Sequence, residues 1–147
     1  MIRVQTIEFD AGAELKRLKA GRLDIGGSVV FVGTVRELSE GRGVSALTLE
    51  HYPGMTEQAL ADIEAEANRR WPLTGSLIVH RHGTLQPGDD IVLVIACSAH
   101  REAAFAACHF LIDWLKTKAP FWKLEADGDH ARWVESKDSD DRAAARW

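Results

Sequence analysis

SAHREAAFAACHFLIDWLKTKAPFWKLE, residues 98–125, decides how the rest of the chain is read. A cationic pair, His100-Arg101, stands at a predicted helix start, and a densely apolar run follows it. Lys116 falls in the last turn, Pro120 breaks the helix, and Lys123 enters a short extended segment. Within the helix, predicted over about 99–118, Ala104, Cys108, Leu111 and Leu115 form one row. Phe105, Ile112 and Ala119 form another. A helix apolar on two sides lies between a sheet and a further layer. Cationic groups held at both its ends suit a small anionic ligand.

Upstream, alternation and breakers predict the partners of that helix. Residues 2–9 read as a strand and 11–20 as a short helix ending at Gly21. SVVFVGTVR (28–36) is rich in β-branched residues and reads as a buried strand, with Gly33 marking a bulge and Arg36 its end. ELSEGRG (37–43) reads as a mobile loop. SALTLEHY (45–52) is a strand, and Pro53-Gly54 introduce a helix over about 55–71. Its apolar stripe is Met55, Ala59, Leu60, Ile63, Ala67 and Trp71, and Pro72 stops it. SLIVHRHGTLQPGDDIVLVIACS (76–98) reads as two strands joined through a Pro87-Gly88 turn, the second of them central.

Beyond Pro120, FWKLEA and ARWVES flank Gly128 as a hairpin, and Asp138 or Ser139 caps a last helix. Strands and helices mix without a regular βαβ rhythm, so the expected class is α+β with a largely antiparallel sheet.

The chain's 147 residues fit one domain over 1–147. With 46% hydrophobic and 27% charged residues, disorder is not expected. No apolar run approaches the ~20 residues of a membrane span. The first twenty residues lack the apolar stretch of a signal peptide, so a cytoplasmic location is expected. Cys97 and Cys108 lie inside apolar runs, without CxxC spacing, and read as packed, reduced thiols.

A net charge of −4 disfavours a general nucleic-acid binder. Charge is uneven, however: residues 98–123 carry four basic groups against two acidic, and 124–147 seven acidic against four basic. A locally positive site on an acidic protein fits a small anion.

By position alone, His100-Arg101 are ordinary surface residues of a first helical turn, and Lys116 answers the helix dipole. Lys123 is harder to explain that way. In an extended FWKLE segment it shares a face with Phe121 and Glu125, while Trp122 and Leu124 point away. Beside bulky aromatics its amine loses water, which lowers its pKa and suits it to proton transfer. His51, His80, His82, His109 and His130 show no metal-ligand spacing and read as structural or solvated. Trp71 and Trp114 read as core or interface.

FVGTVR (31–36), LEHYPGM (49–55), HGTLQPGDDIVLV (82–94), SAHREAAFAAC (98–108), LKTKAPFWKLE (115–125) and RWVES (132–136) together resemble the large, catalytic subunit of molybdopterin synthase. The resemblance runs from about Gly26 to the end, in the family's order and spacing. One departure is His82, where the family commonly has an aliphatic residue before the glycine.

The resemblance implies an α/β hammerhead with an added antiparallel subdomain. It implies sulfur transfer to cyclic pyranopterin monophosphate, forming the dithiolene of molybdopterin. The sulfur comes from a thiocarboxylate on the C-terminal Gly-Gly of a small ubiquitin-like carrier subunit. It implies a heterotetramer around a homodimer of this subunit, with neither metal nor cofactor. Carried over, the substrate-binding residues are Thr34, Val35, Arg36, His100, Arg101, Lys116, Lys123, Leu124 and Glu125. Lys116 and Lys123 share the proton-transfer and oxyanion roles between them.

On this reading the carrier's tail threads a slot lined by Lys116, Lys123 and Phe121-Trp122, with Lys16, Lys19 and Lys137 as bystanders on the surface. A rival reading is a non-catalytic dimeric module that holds a phosphorylated metabolite.

Overall fold

The hydrophobic run IVLVIACS becomes the axis of the molecule because both faces of its strand find cover. In the computed structural model, which describes residues 1–39, 41–134 and 137–147, this strand is β8 (Asp90–Ser98). It pairs antiparallel with β6 (Leu73–Arg81) on one side and β2 (Gly27–Thr34) on the other. β1 (Ile2–Gln5) joins parallel to β6, giving the order β1-β6-β8-β2.

Alternation then divides the core in two. Val92, Val94 and Ala96 pack under two helices, α2 (Met55–Arg70) and α3 (Arg101–Lys118), through Leu60, Ile63, Ala107, Phe110 and Leu111. Leu93, Ile95 and Cys97 face the other way, against Leu15 and Leu18 of α1 (Ala11–Lys19). The α+β, mostly antiparallel architecture is the one expected.

A second sheet, ordered β10-β9-β5-β7, stands beside the first. It comprises β5 (Ala46–His51), β7 (Gly83–Leu85), β9 (Phe121–Asp127) and β10 (His130–Val134), all antiparallel. The chain ends in α4 (Asp138–Ala145).

Several expectations need correction. The run after Gly75 makes three strands, because Gly83, at φ 90°, turns the chain out of the first sheet into the second before Pro87-Gly88 returns it. That return is the expected turn: Asp89 N–H donates to the Gln86 carbonyl at 3.0 Å, and Gly88 has φ 95°.

β2 is an edge strand, only half-buried, since β8 takes one side of it and nothing described takes the other. Its bulge does fall at Gly33/Thr34. The first strand stops at Gln5. Residues 37–43 contain a short pairing, β3 (Leu38–Ser39) with β4 (Arg42–Gly43); Glu40 lies outside the described residues, as do Glu135 and Ser136 of the RWVES segment. Lys137, not Asp138 or Ser139, is the cap residue of α4. Met55 and Phe105 are 65% and 62% exposed, because each sits on the flank of its helix that no other element covers.

The start of α3 is held by close backbone packing. Gly26 N–H donates to the Ser98 carbonyl at 3.0 Å, and a Cβ at Gly26 would lie 2.0 Å from the Ala99 carbonyl oxygen. Backbone cannot rotate away as a side chain can. Gly26→Ala is therefore expected to cost about 2–3 kcal/mol, lowering Tm by roughly 5–10 °C in a thermal melt.

Candidate active site

Three pieces of backbone converge where α3 ends. β2 runs out at Thr34, β9 begins after Pro120, and α4 starts beyond β10. Between them lies a cleft of about 390 Å³. Lys116 reaches it from the last turn of α3, and Arg36 from just beyond β2. Lys123 and Glu125 reach it from the inner face of β9, which Phe121 shares; this is the alternation expected of the FWKLE segment.

Thr56 and His80 set where β9 begins. The buried Thr56 hydroxyl donates to the Pro120 carbonyl at 3.0 Å. The His80 ring stacks on Phe121 with centroids 3.8 Å apart and planes 19° apart. His80, read from sequence as structural or solvated, is structural; Thr56 was not singled out, since a threonine near a helix start carries no distinctive signal.

The cleft is cationic. Arg36, Lys116, Lys123 and Lys137 line it against two carboxylates, Glu125 and Asp140. Glu125 accepts a hydrogen bond from Arg132 at 3.0 Å. Lys137, expected among bystander lysines, is thus part of the wall. Burial holds the Lys123 amine below the ordinary lysine range, and the nearby positive charges of Lys116 and Lys137 push the same way. Asp140 and Glu125 oppose them. Lys118, two residues from Lys116, instead lies 4.0 Å over the Trp114 ring.

Of the predicted site residues, Thr34, Val35, Arg36, Lys116, Lys123 and Glu125 line this one cleft. Thr34 points its hydroxyl at Asp90, donating at 2.8 Å. Leu124 turns to the opposite face of β9, as does Trp122, which is 52% exposed and takes no part in the slot expected of it. His100 and Arg101 are also absent from the cleft. They cap and open α3, so about 22 Å of helix separates Arg101 from Lys116 at ~1.5 Å per residue.

The family model described as MoaE protein matches residues 4–118. The chain belongs to the MoaE family. A relative from Pseudomonas aeruginosa, "Molybdopterin synthase catalytic subunit", is 56% identical over 146 residues, 99% of this chain and 97% of that protein. The solved MoaE structure from Burkholderia ambifaria superimposes with TM-score 0.86 at 53% identity, covering 100% of this chain and 97% of that one. Molybdopterin synthase from Staphylococcus aureus gives TM-score 0.82 at 35% identity, covering 90% of this chain and 96% of that one. The hammerhead with its added antiparallel sheet is thus the fold of this MoaE chain as of its relatives.

Neither cysteine of this family member touches the cleft. Cys97 and Cys108 are buried in opposite halves of the core, and burial pushes the Cys108 thiol up to about 11. Such thiols are poor nucleophiles. A Cys97→Ala, Cys108→Ala double variant is expected to keep its turnover while losing roughly 1–2 kcal/mol per site to cavities. Turnover assays paired with urea melts check both halves.

Proposed function

We propose that this chain is the catalytic subunit of a molybdopterin synthase, a sulfurtransferase acting on cyclic pyranopterin monophosphate. The observation that carries this reading is the cluster of Arg36, Lys116 and Lys123 around one cleft in a MoaE chain.

The chemistry follows from those groups. The thiocarboxylate sulfur of a first carrier's C-terminal glycine bonds to a pterin side-chain carbon as that carbon's bond to the cyclic phosphate oxygen breaks. A second carrier's sulfur replaces a side-chain oxygen that leaves as water. Water then adds to the acyl carbon, and cleavage of the carbon–sulfur bond of the acyl group releases the carrier as a carboxylate. Arg36 pairs with the phosphate, whose ring opens and gains charge as sulfur enters. Lys116 and Lys123 face the acyl carbon, where they stabilise the tetrahedral oxyanion and move its proton. The carrier's Gly-Gly tail has no side chains and enters a narrow cleft that bulkier residues would block. The local excess of positive charge attracts its terminal anion.

His100 and Arg101 enter through a second copy. β2 is an edge strand without charge or proline, and such edges pair readily. Its Gly27 end lies under Arg101, whose Cα is 3.3 Å from a Cβ placed on that glycine, while its Gly33 end lines the cleft. Antiparallel pairing of two β2 edges about a two-fold axis brings each Gly27 end beside the other's Thr34. His100 and Arg101 of one protomer then face the cleft of its partner. The same pairing covers Phe105 and Val30, exposed on this flank.

The test mixes the chain with a thiocarboxylated carrier and the cyclic pterin substrate, then follows product mass. Two sulfurs gained per pterin, with carboxylate carrier released, is the expected result. Substrate binding without any sulfur gain would leave the rival binding module in its place.

A further inference from the structure

We propose that His80 is a positioning residue for Lys123, acting through the stacked ring of Phe121; the catalytic part of this rests on the function proposed above. β9 is paired with β5 and β10, and two side-chain contacts add to that ladder at its start. Thr56 fixes Pro120 by a hydrogen bond, and His80 fixes Phe121 by its flat ring at 3.8 Å. Trp122 lies on the outer face, half exposed between the Tyr52 and Trp133 rings, away from this stack. Lys123 lies two residues past Phe121, the next side chain on the same face of the strand. The ladder fixes the Lys123 backbone, and the Phe121 ring beside it on that face limits where its side chain and amine can lie.

The His80 ring is well suited to act as an anchor. It is 5% exposed, and its Nδ1 lies 2.8 Å from the Arg81 carbonyl. A carbonyl only accepts, so Nδ1 carries the proton and the ring plane is tied to the end of β6. Its charge state matters as well, because the basic groups facing it are Lys123 from β9, Lys116 from α3 and His82 beyond β6, the last itself held below the usual histidine range by burial. Burial and these charges hold the imidazole at about 3, so it remains neutral at working pH. A protonated ring here would add another cation beside two lysines that must themselves exchange protons. A neutral, hydrogen-bonded aromatic gives Phe121 a fixed floor without that penalty.

The experiment reads Lys123 directly, without carrier or substrate. The resting protein is treated with an amine-reactive ester across a pH series, and each lysine is mapped by peptide mass. In His80→Leu the ring is lost, Phe121 shifts, and water reaches the amine. The labelling midpoint of Lys123 should rise by about one pH unit, with Lys16 and Lys19 unchanged. Sulfur transfer should fall about 10-fold through misplacement. His80→Phe, which keeps the flat ring, should restore both to within about 2-fold. Phe121→Leu removes the other partner of the stack and should reproduce the same shift, so the idea stays testable if His80→Leu does not fold. An unchanged Lys123 midpoint in a folded variant of either residue overturns the proposal, whatever the turnover. A shifted midpoint with full turnover upholds the positioning and instead removes Lys123 from the proposed chemistry.

Discussion

Lys123→Ala lowers sulfur transfer at least ~100-fold, and Lys116→Ala does the same, the scale expected for a lost acid–base or oxyanion group. Both amines line one cleft, and they reach it from independent elements, the last turn of α3 and the inner face of β9. Neither is a packing residue of the core, so the variants should fold.

A stability measurement separates Lys123 from an ordinary structural lysine. Its folded pKa is depressed, chiefly by burial and then by Lys116. Between that depressed value and 10.5 the unfolded chain binds the proton that the folded chain has shed, so wild-type stability rises with pH in that window. Below the window both states are charged and the folded state bears the whole burial cost. Lys123→Met should therefore be at least as stable as wild type near neutrality, and its advantage should fade as pH climbs toward 10.5. Loss of turnover together with unchanged or improved stability marks a group kept for chemistry. A variant that transfers sulfur at nearly the wild-type rate removes that lysine from the mechanism.

The parts of this architecture that were legible are those in which a local pattern and its tertiary surroundings agree. β8 announces itself as central because an unbroken run of Ile, Val, Leu, Ala and Cys can be satisfied only with cover on both faces. The alternation in FWKLE correctly placed Lys123 beside Phe121 and Glu125, since a strand's period of two survives any context.

β2 was misjudged because β-branched composition reports a pleated, partly buried surface, not a place in the strand order. A strand awaiting a second copy looks the same in sequence as one already buried. Gly83 was overlooked as a breaker because the apolar pattern resumes directly after it, in a different sheet. The places of Lys137 and His80 were invisible for a related reason. Lys137 lines the cleft and His80 stacks on Phe121 of its wall, and only the finished fold brings them there. His100 and Arg101 raise the reverse problem: motif reading grouped them with Lys116, and an 18-residue helix holds them apart in one chain.

That separation gives the sharpest test of assembly. Arg101→Ala alone is expected to lower sulfur transfer ~100-fold by leaving the phosphate and its developing charge short of one guanidinium. Lys123→Ala is inactive on its own side of the site. If two protomers share each cleft, mixing the two inactive variants under conditions that allow subunit exchange should recover activity. In a mixed dimer, the cleft of the Arg101→Ala protomer keeps its own Lys123 and receives an intact Arg101 from its partner. The other cleft carries both defects. Random exchange makes half the dimers mixed, with one of two sites whole, so the mixture should reach about a quarter of wild-type turnover. A double variant bearing both substitutions in one chain, mixed with wild type, gives no complementation of this kind and serves as the control. If Arg101 instead served the cleft of its own chain, exchange between the two single variants would leave each site with one defect, and activity would stay at the level of the separate variants. Exchange itself is verified by native mass spectrometry of differently tagged copies, so a flat result with proven mixing sinks the shared-site geometry and the β2 edge pairing on which it depends.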